Sequence, residues 1–273
     1  MFRASANPNE LNKNLGFQSE KLENKVKALP LNKRRHLTSI GFIASKAYGL
    51  KQDNKWNVLM TSDMEAYQKE RNKNKKSSYE EANLPESMND VKKAAKEYQR
   101  RIKRTYEKTD PTLADLYKVQ KWLVLRLMVE LPFRNDLPTL NVKEKKGNHL
   151  DKDGKKGLKI VMIDFKSSDK VGPRTVKLTK GVVRVLKKFL KYRDAAEVGH
   201  DFLLSARNGN KMTKKGFSQM MIRTTEELLS KRVGSRIMRV LTASENKDVL
   251  LEANEITNKM LHTAKQTRQY IRK

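Results

Sequence analysis

Ser235-Arg236-Ile237-Met238-Arg239-Val240 is followed by Leu261-His262 and, eight positions after the histidine, by Tyr270. An arginine, a histidine and a late tyrosine in that order make a candidate phosphodiester-cleaving site. A phenol oxygen can attack phosphorus, and cations can hold the phosphate oxygens. Taken singly, each has an ordinary reading. A tyrosine near a C-terminus usually packs or lies on the surface. One arginine among 60 basic residues is usually solvated, and a lone histidine usually sits on a helix surface. The order of the residues makes the case, together with upstream partners that the rest of the chain must supply.

The composition points the same way. Lys and Arg number 60 against 31 Asp and Glu in 273 residues, a formal charge of +29. A compact protein with that excess repels itself unless its partner is a polyanion. Nucleic acid is the first candidate, through phosphate neutralisation and counterion release, and an anionic membrane surface the second. The basic residues run along the whole chain, as suits a protein that wraps its partner. There are no cysteines, which excludes disulfides and thiolate metal sites. His36, His149, His200 and His262 are dispersed along the chain. Met1 to Lys13 lacks the apolar stretch of a secretory signal, and the most apolar run, Trp122 to Leu131, is interrupted by Arg126. No Gly-x-x-x-x-Gly-Lys-Ser/Thr loop is present, which argues against an ATP-driven motor. A soluble intracellular protein without a membrane span is expected.

The positioning elements are mostly helical. Apolar periodicity predicts helices over 17–29, 37–50, 56–67 and 89–108, with 1–15 a loose arm and 77–85 a loop. Asp110 and Pro111 suit the start of a core helix that reaches Glu130 with Leu113, Leu116, Val119, Leu123 and Leu127 on one stripe. After a charged loop over 143–156, Leu158–Phe165 and Arg174–Leu178 read as a hairpin with Lys166 and Lys170 near its tip. Helices follow over 181–193 and 213–229, and Ser235 is placed to cap the next. The fold class is mainly α with a small β-sheet (α+β). The division is a basic, helical DNA-clamping domain over 1–108 and a second domain over 109–273.

From about Leu113 onward the chain resembles the catalytic domain of the tyrosine recombinases (phage-type integrases), a fold shared with type IB topoisomerases. Arg134, after the long helix and before Leu137 and Leu140, stands where the family has its first arginine. Lys166 matches the hairpin lysine, and Phe202-Leu203-Leu204-Ser205 with Lys211-Met212-Thr213 resembles the approach to the next helix. Ser235-Arg236-Ile237-Met238-Arg239 resembles the second box, His-x-x-Arg in most members. Leu261-His262 resembles the third, and Tyr270 matches the nucleophile. The first hundred residues resemble the family's core-binding domain in position, helicity and charge. Two departures stand out. Arg236 replaces a histidine, and Asp136 lies two residues after Arg134 where the usual acid is a glutamate three after.

The resemblance implies a site-specific recombinase or integrase that needs no metal or cofactor. Tyr270 would form a 3′-phosphotyrosine and release a 5′-hydroxyl. Arg134, Arg239 and His262 would hold the phosphate, with Arg236 as a further donor. Lys166 would be the general acid toward the leaving oxygen, and Asp136 would buttress Arg134. The partner would be double-stranded DNA, bound by a tetramer assembled on two sites. The setting would be a bacterial cytoplasm, a host nucleus or a viral factory, with a viral or mobile-element origin. A relaxing topoisomerase of the same chemistry is the enzymatic alternative. A catalytically inactive DNA-binding protein of the same fold is the alternative from another class.

Overall fold

The computed structural model describes residues 20–47, 55–73, 75–247 and 259–260. They belong to two compact units, Met1–Asn74 and Lys75–Lys273. The division falls ahead of the basic helix predicted over 89–108, which the sequence reading groups with the N-terminal half. Among the described residues the fold is α+β, mainly helical with one small antiparallel sheet.

The first unit holds α1 (Glu20–Lys27), α2 (Leu31–Ala47) and α3 (Lys55–Asn72). The approach of α2 to α3 is set by Gly41, whose absent side chain leaves room for the buried Trp56. A Cβ there would lie 2.5 Å from the indole. Asp63 is buried beside them and accepts from Arg34 Nε at 2.7 Å and Thr38 Oγ1 at 3.3 Å.

The second unit is built around α7 (Leu113–Glu130), which is packed by α5 (Met88–Arg101), the short α6 (Lys103–Tyr106), α9 (Lys180–Ala195), α10 (Lys214–Leu229) and α11 (Ser235–Glu245). Val124, Leu125 and Met128 are buried as well as the expected Leu116, Val119, Leu123 and Leu127. A helix covered on so many sides needs more than one apolar stripe. Its cap is Thr112, not Asp110. Thr112 Oγ1 accepts from Asp115 N, and the Asp115 carboxylate accepts from Thr112 N, a reciprocal capping box that Lys108 joins at 2.8 Å. Val91, Ala94, Ala95 and Tyr98 form the buried face of α5. The predicted 89–108 helix divides at Ile102, whose backbone leaves helical geometry.

Two segments read as loop are ordered. Residues 78–83 form α4 (Ser78–Asn83), again started by a capping box, between Ser77 and Glu80. Residues 149–153 form β1 (His149–Asp153), which pairs with β2 (Gly157–Met162), and β2 pairs with β3 (Arg174–Lys177), all antiparallel. The expected hairpin therefore gains a third strand, which its charged residues conceal. Lys145 and Lys159 both pair with Asp151, so β1 carries ion pairs where a strand usually shows apolar alternation. The link from β2 to β3 carries α8 (Ser168–Val171). Among the described residues, no helix is long and apolar enough to cross a membrane.

Candidate active site

The segment after α7 cannot continue as helix because Pro132 follows Leu131. Phe133 is fully buried and anchors this turn, which leaves Arg134 half-buried. Residues 133–135 are then fastened to the first turns of α11. Ser235 Oγ donates to Asn135 Oδ1 at 2.7 Å, and Arg239 Nη1 approaches the Phe133 carbonyl oxygen at 3.5 Å. Ser235 and Arg239 are four positions apart and so lie on one helix face. The N-cap of α11 is Gly234, not the expected Ser235; Ser235 is the first helical residue and its hydroxyl is used for the tie to Asn135.

The loop into α11 is held from two sides. Val233 N donates to Thr225 Oγ1 of α10 at 2.9 Å. On the other side α4 straps it: Arg232 N donates to Asn83 Oδ1 at 2.8 Å, Tyr79 Oη donates to the Arg232 carbonyl at 2.8 Å, and Lys231 Nζ donates to the Leu84 carbonyl at 2.7 Å.

Lys166 is positioned by Asn148, a buried residue in the segment read as a charged loop. Asn148 Oδ1 accepts from Ile163 N at 2.7 Å and Asp164 N at 2.8 Å, while its amide nitrogen donates to the Asp164 carbonyl. Phe165 is then buried, and Lys166 turns outward.

These ties converge on a cavity of about 450 Å³ lined by Arg134, Lys166, Arg236 and Arg239, with Tyr79 and Ser235 beside them. Four cationic groups from three distant segments share one concave surface at the N-terminal end of α11. Its free backbone N–H groups and helix dipole add positive potential there. The arrangement suits a phosphate, since guanidinium groups donate to oxyanions in pairs and keep their charge at any working pH. Arg239 is 6% exposed and Arg236 has a side chain 61% exposed, so one is fixed in the wall and the other reaches outward.

Two carboxylates shape the site. Asp136 is buried, and its Oδ1 accepts from Lys214 Nζ at 2.9 Å, so its bond goes to the start of α10 and not to Arg134. Glu80, on α4, pairs with Arg236 at 3.0 Å. Lys214, Asn148, Tyr79 and Glu80 are not among the residues expected from the sequence. Only Glu80 carried a local signal, the Ser-x-x-Glu spacing of a capping box. Lys170 lies on α8 and is exposed. His262 and Tyr270 lie outside the described residues.

No protein-family model matches the chain, and no curated protein matches it. Solved structures do. The crystal structure of XerA recombinase is similar with a TM-score of 0.49 and 14% identity, covering 96% of this chain and 77% of that one. The XerH site-specific recombinase bound to difH substrate, a pre-cleavage complex, is similar with a TM-score of 0.48 and 15% identity, covering 89% of this chain and 67% of that one.

Proposed function

We propose that this chain is a site-specific DNA recombinase or integrase that cuts and rejoins strands through Tyr270. The observation that carries the reading is the convergence of Arg134, Lys166, Arg236 and Arg239 on one cavity, in a chain of net charge +29. A DNA phosphodiester in that cavity meets donors on both non-bridging oxygens. The Tyr270 phenol loses its proton to solvent water as its oxygen bonds to phosphorus, and the 5′-oxygen leaves. Lys166 gives that oxygen a proton. Arg134, Arg239 and His262 stabilise the extra negative charge of the pentavalent transition state, with Arg236 as a further donor. The bond energy is kept in the 3′-phosphotyrosine, so the reverse attack rejoins the strand without a high-energy cofactor or a metal.

The remaining basic surface binds backbone phosphates, with the N-terminal region, 1–108, acting as a clamp. Recombination joins two duplexes, which calls for four active sites and hence a tetramer on two DNA sites. The protein acts inside a cell, at DNA, and its Lys- and Asn-rich character fits a viral or mobile-element source.

Plasmid assays test the reading. A recombinase exchanges strands only between paired cognate sites and leaves a plasmid lacking them supercoiled. Relaxation of any supercoiled plasmid by the monomer would assign the same chemistry to a topoisomerase. Tight binding with neither product would make the protein a DNA-binding module.

A further inference from the structure

The acidic partner of Arg236 is buried while Arg236 itself is not. Glu80 is 1% exposed, whereas the Arg236 side chain is 61% exposed. A buried carboxylate is costly unless its oxygens are engaged. Here both are: Glu80 Oε2 accepts from Ser77 N at 2.9 Å and Ser77 Oγ at 3.1 Å, and Oε1 accepts from Arg236 Nη2 at 3.0 Å. Glu80 is itself fixed, because α4 is tied to the 231–233 loop through Tyr79, Asn83 and Leu84. Tyr79, its chain neighbour, lines the same cavity as Arg236.

We propose that Glu80 is a positioning residue for Arg236, and that the pair presents a charge-compensated hydrogen-bond donor to the phosphate. The inference rests on reading the cavity as a phosphodiester site. Glu80 Oε1 takes one hydrogen bond from Nη2 of the guanidinium, which leaves the other N–H groups of Arg236 as donors for a ligand. An unpaired arginine would add a full positive charge to the cavity wall. The buried carboxylate offsets that charge and restricts the rotamers of a long side chain that is otherwise more than half exposed. The site thereby gains directed hydrogen bonds without holding the DNA phosphate more tightly before it reacts.

A double-mutant cycle tests this. Glu80→Gln keeps the capping box, since glutamine serves there as well as glutamate, but removes the charge. In the Glu80→Gln protein, DNA affinity should rise about 5-fold near 0.15 M salt, and the slope of log affinity against log salt should steepen by about 0.9, as for one more phosphate neutralised. Covalent cleavage should fall by about tenfold, because a misplaced donor costs rate and not binding. In an Arg236→Ala background, Glu80→Gln should leave the cleavage rate unchanged, since no guanidinium remains to be positioned. A merely structural Glu80 gives the same losses in both backgrounds, tracking the melting temperature, and that result overturns the proposal. Unchanged or weakened DNA binding by Glu80→Gln with Arg236 present also overturns it. Where even the unmodified protein forms no covalent complex, the recombinase reading fails, and the affinity and salt slope of Glu80→Gln with Arg236 present still decide whether the carboxylate offsets that charge.

Discussion

Arg239→Ala is expected to lower the single-turnover rate of DNA cleavage by about 10²–10³-fold, the effect of losing one preorganised donor to a developing oxyanion. Affinity for the same DNA should change by only a few-fold. Arg239 is 6% exposed, inside a wall that α11 and the Phe133 segment build together. Its charge sits in a less polar setting than any surface arginine, so its interaction with a transition-state oxygen is screened least. Arg239→Lys should recover little, because an ammonium cannot reproduce the planar, paired donors and does not reach the Phe133 carbonyl in the same way. Rapid-quench cleavage and fluorescence anisotropy on one labelled duplex separate the two quantities. Loss of binding in proportion to loss of rate would mean that Arg239 serves ground-state attraction. A parallel fall in melting temperature would mean that it serves the fold.

The second large effect is ionic. DNA affinity should fall by about 10³–10⁵-fold between 50 and 200 mM salt, the range for a protein that neutralises 6–10 phosphates. The charge of +29 is spread over the chain, and the helices of both units carry it: Lys69 and Arg71 end α3, and Arg100 and Arg101 end α5. Anisotropy titrations of a duplex at stepped salt give the slope directly. A shallow dependence would assign the basic surface to another role and remove the clamp from the account.

What the sequence made visible, and what it hid, follows physical lines. Helices α7, α9 and α10 were legible because each must bury a long apolar face, and periodicity reports that demand. Thr213 was legible as the cap of α10, and its hydroxyl accepts from Gly216 N at 3.0 Å. Strand β1 was hidden because its residues satisfy themselves with ion pairs across the sheet, leaving no apolar alternation. Helix α4 was hidden because six residues are too few to show a period.

The site divides in the same manner. The order of Arg134, Lys166, Arg236 and Arg239 along the chain was visible, and the cavity gathers these four. Their partners were not visible. Glu80 lies 156 positions from Arg236, and Lys214 lies 78 positions from Asp136, so no local pattern links them. Asp136 illustrates the difficulty. The resemblance implied a buttress to Arg134, and the bond its carboxylate accepts comes from Lys214 at the start of α10.

Tyr270 is the centre of the account, and Tyr79 is its competitor: it lines the cavity and is 47% exposed. The most direct measurement incubates the protein with nicked duplexes carrying a library of flanking sequences, with chelator present, and resolves the products on a denaturing gel. Peptide mapping then locates any DNA-linked residue. The account predicts a covalent band in the unmodified protein and in Tyr79→Phe, mapped to Tyr270 and absent from Tyr270→Phe, with native-gel binding retained by all three. A band that survives Tyr270→Phe, or no band on a duplex that the protein binds as its cognate site, would contradict it.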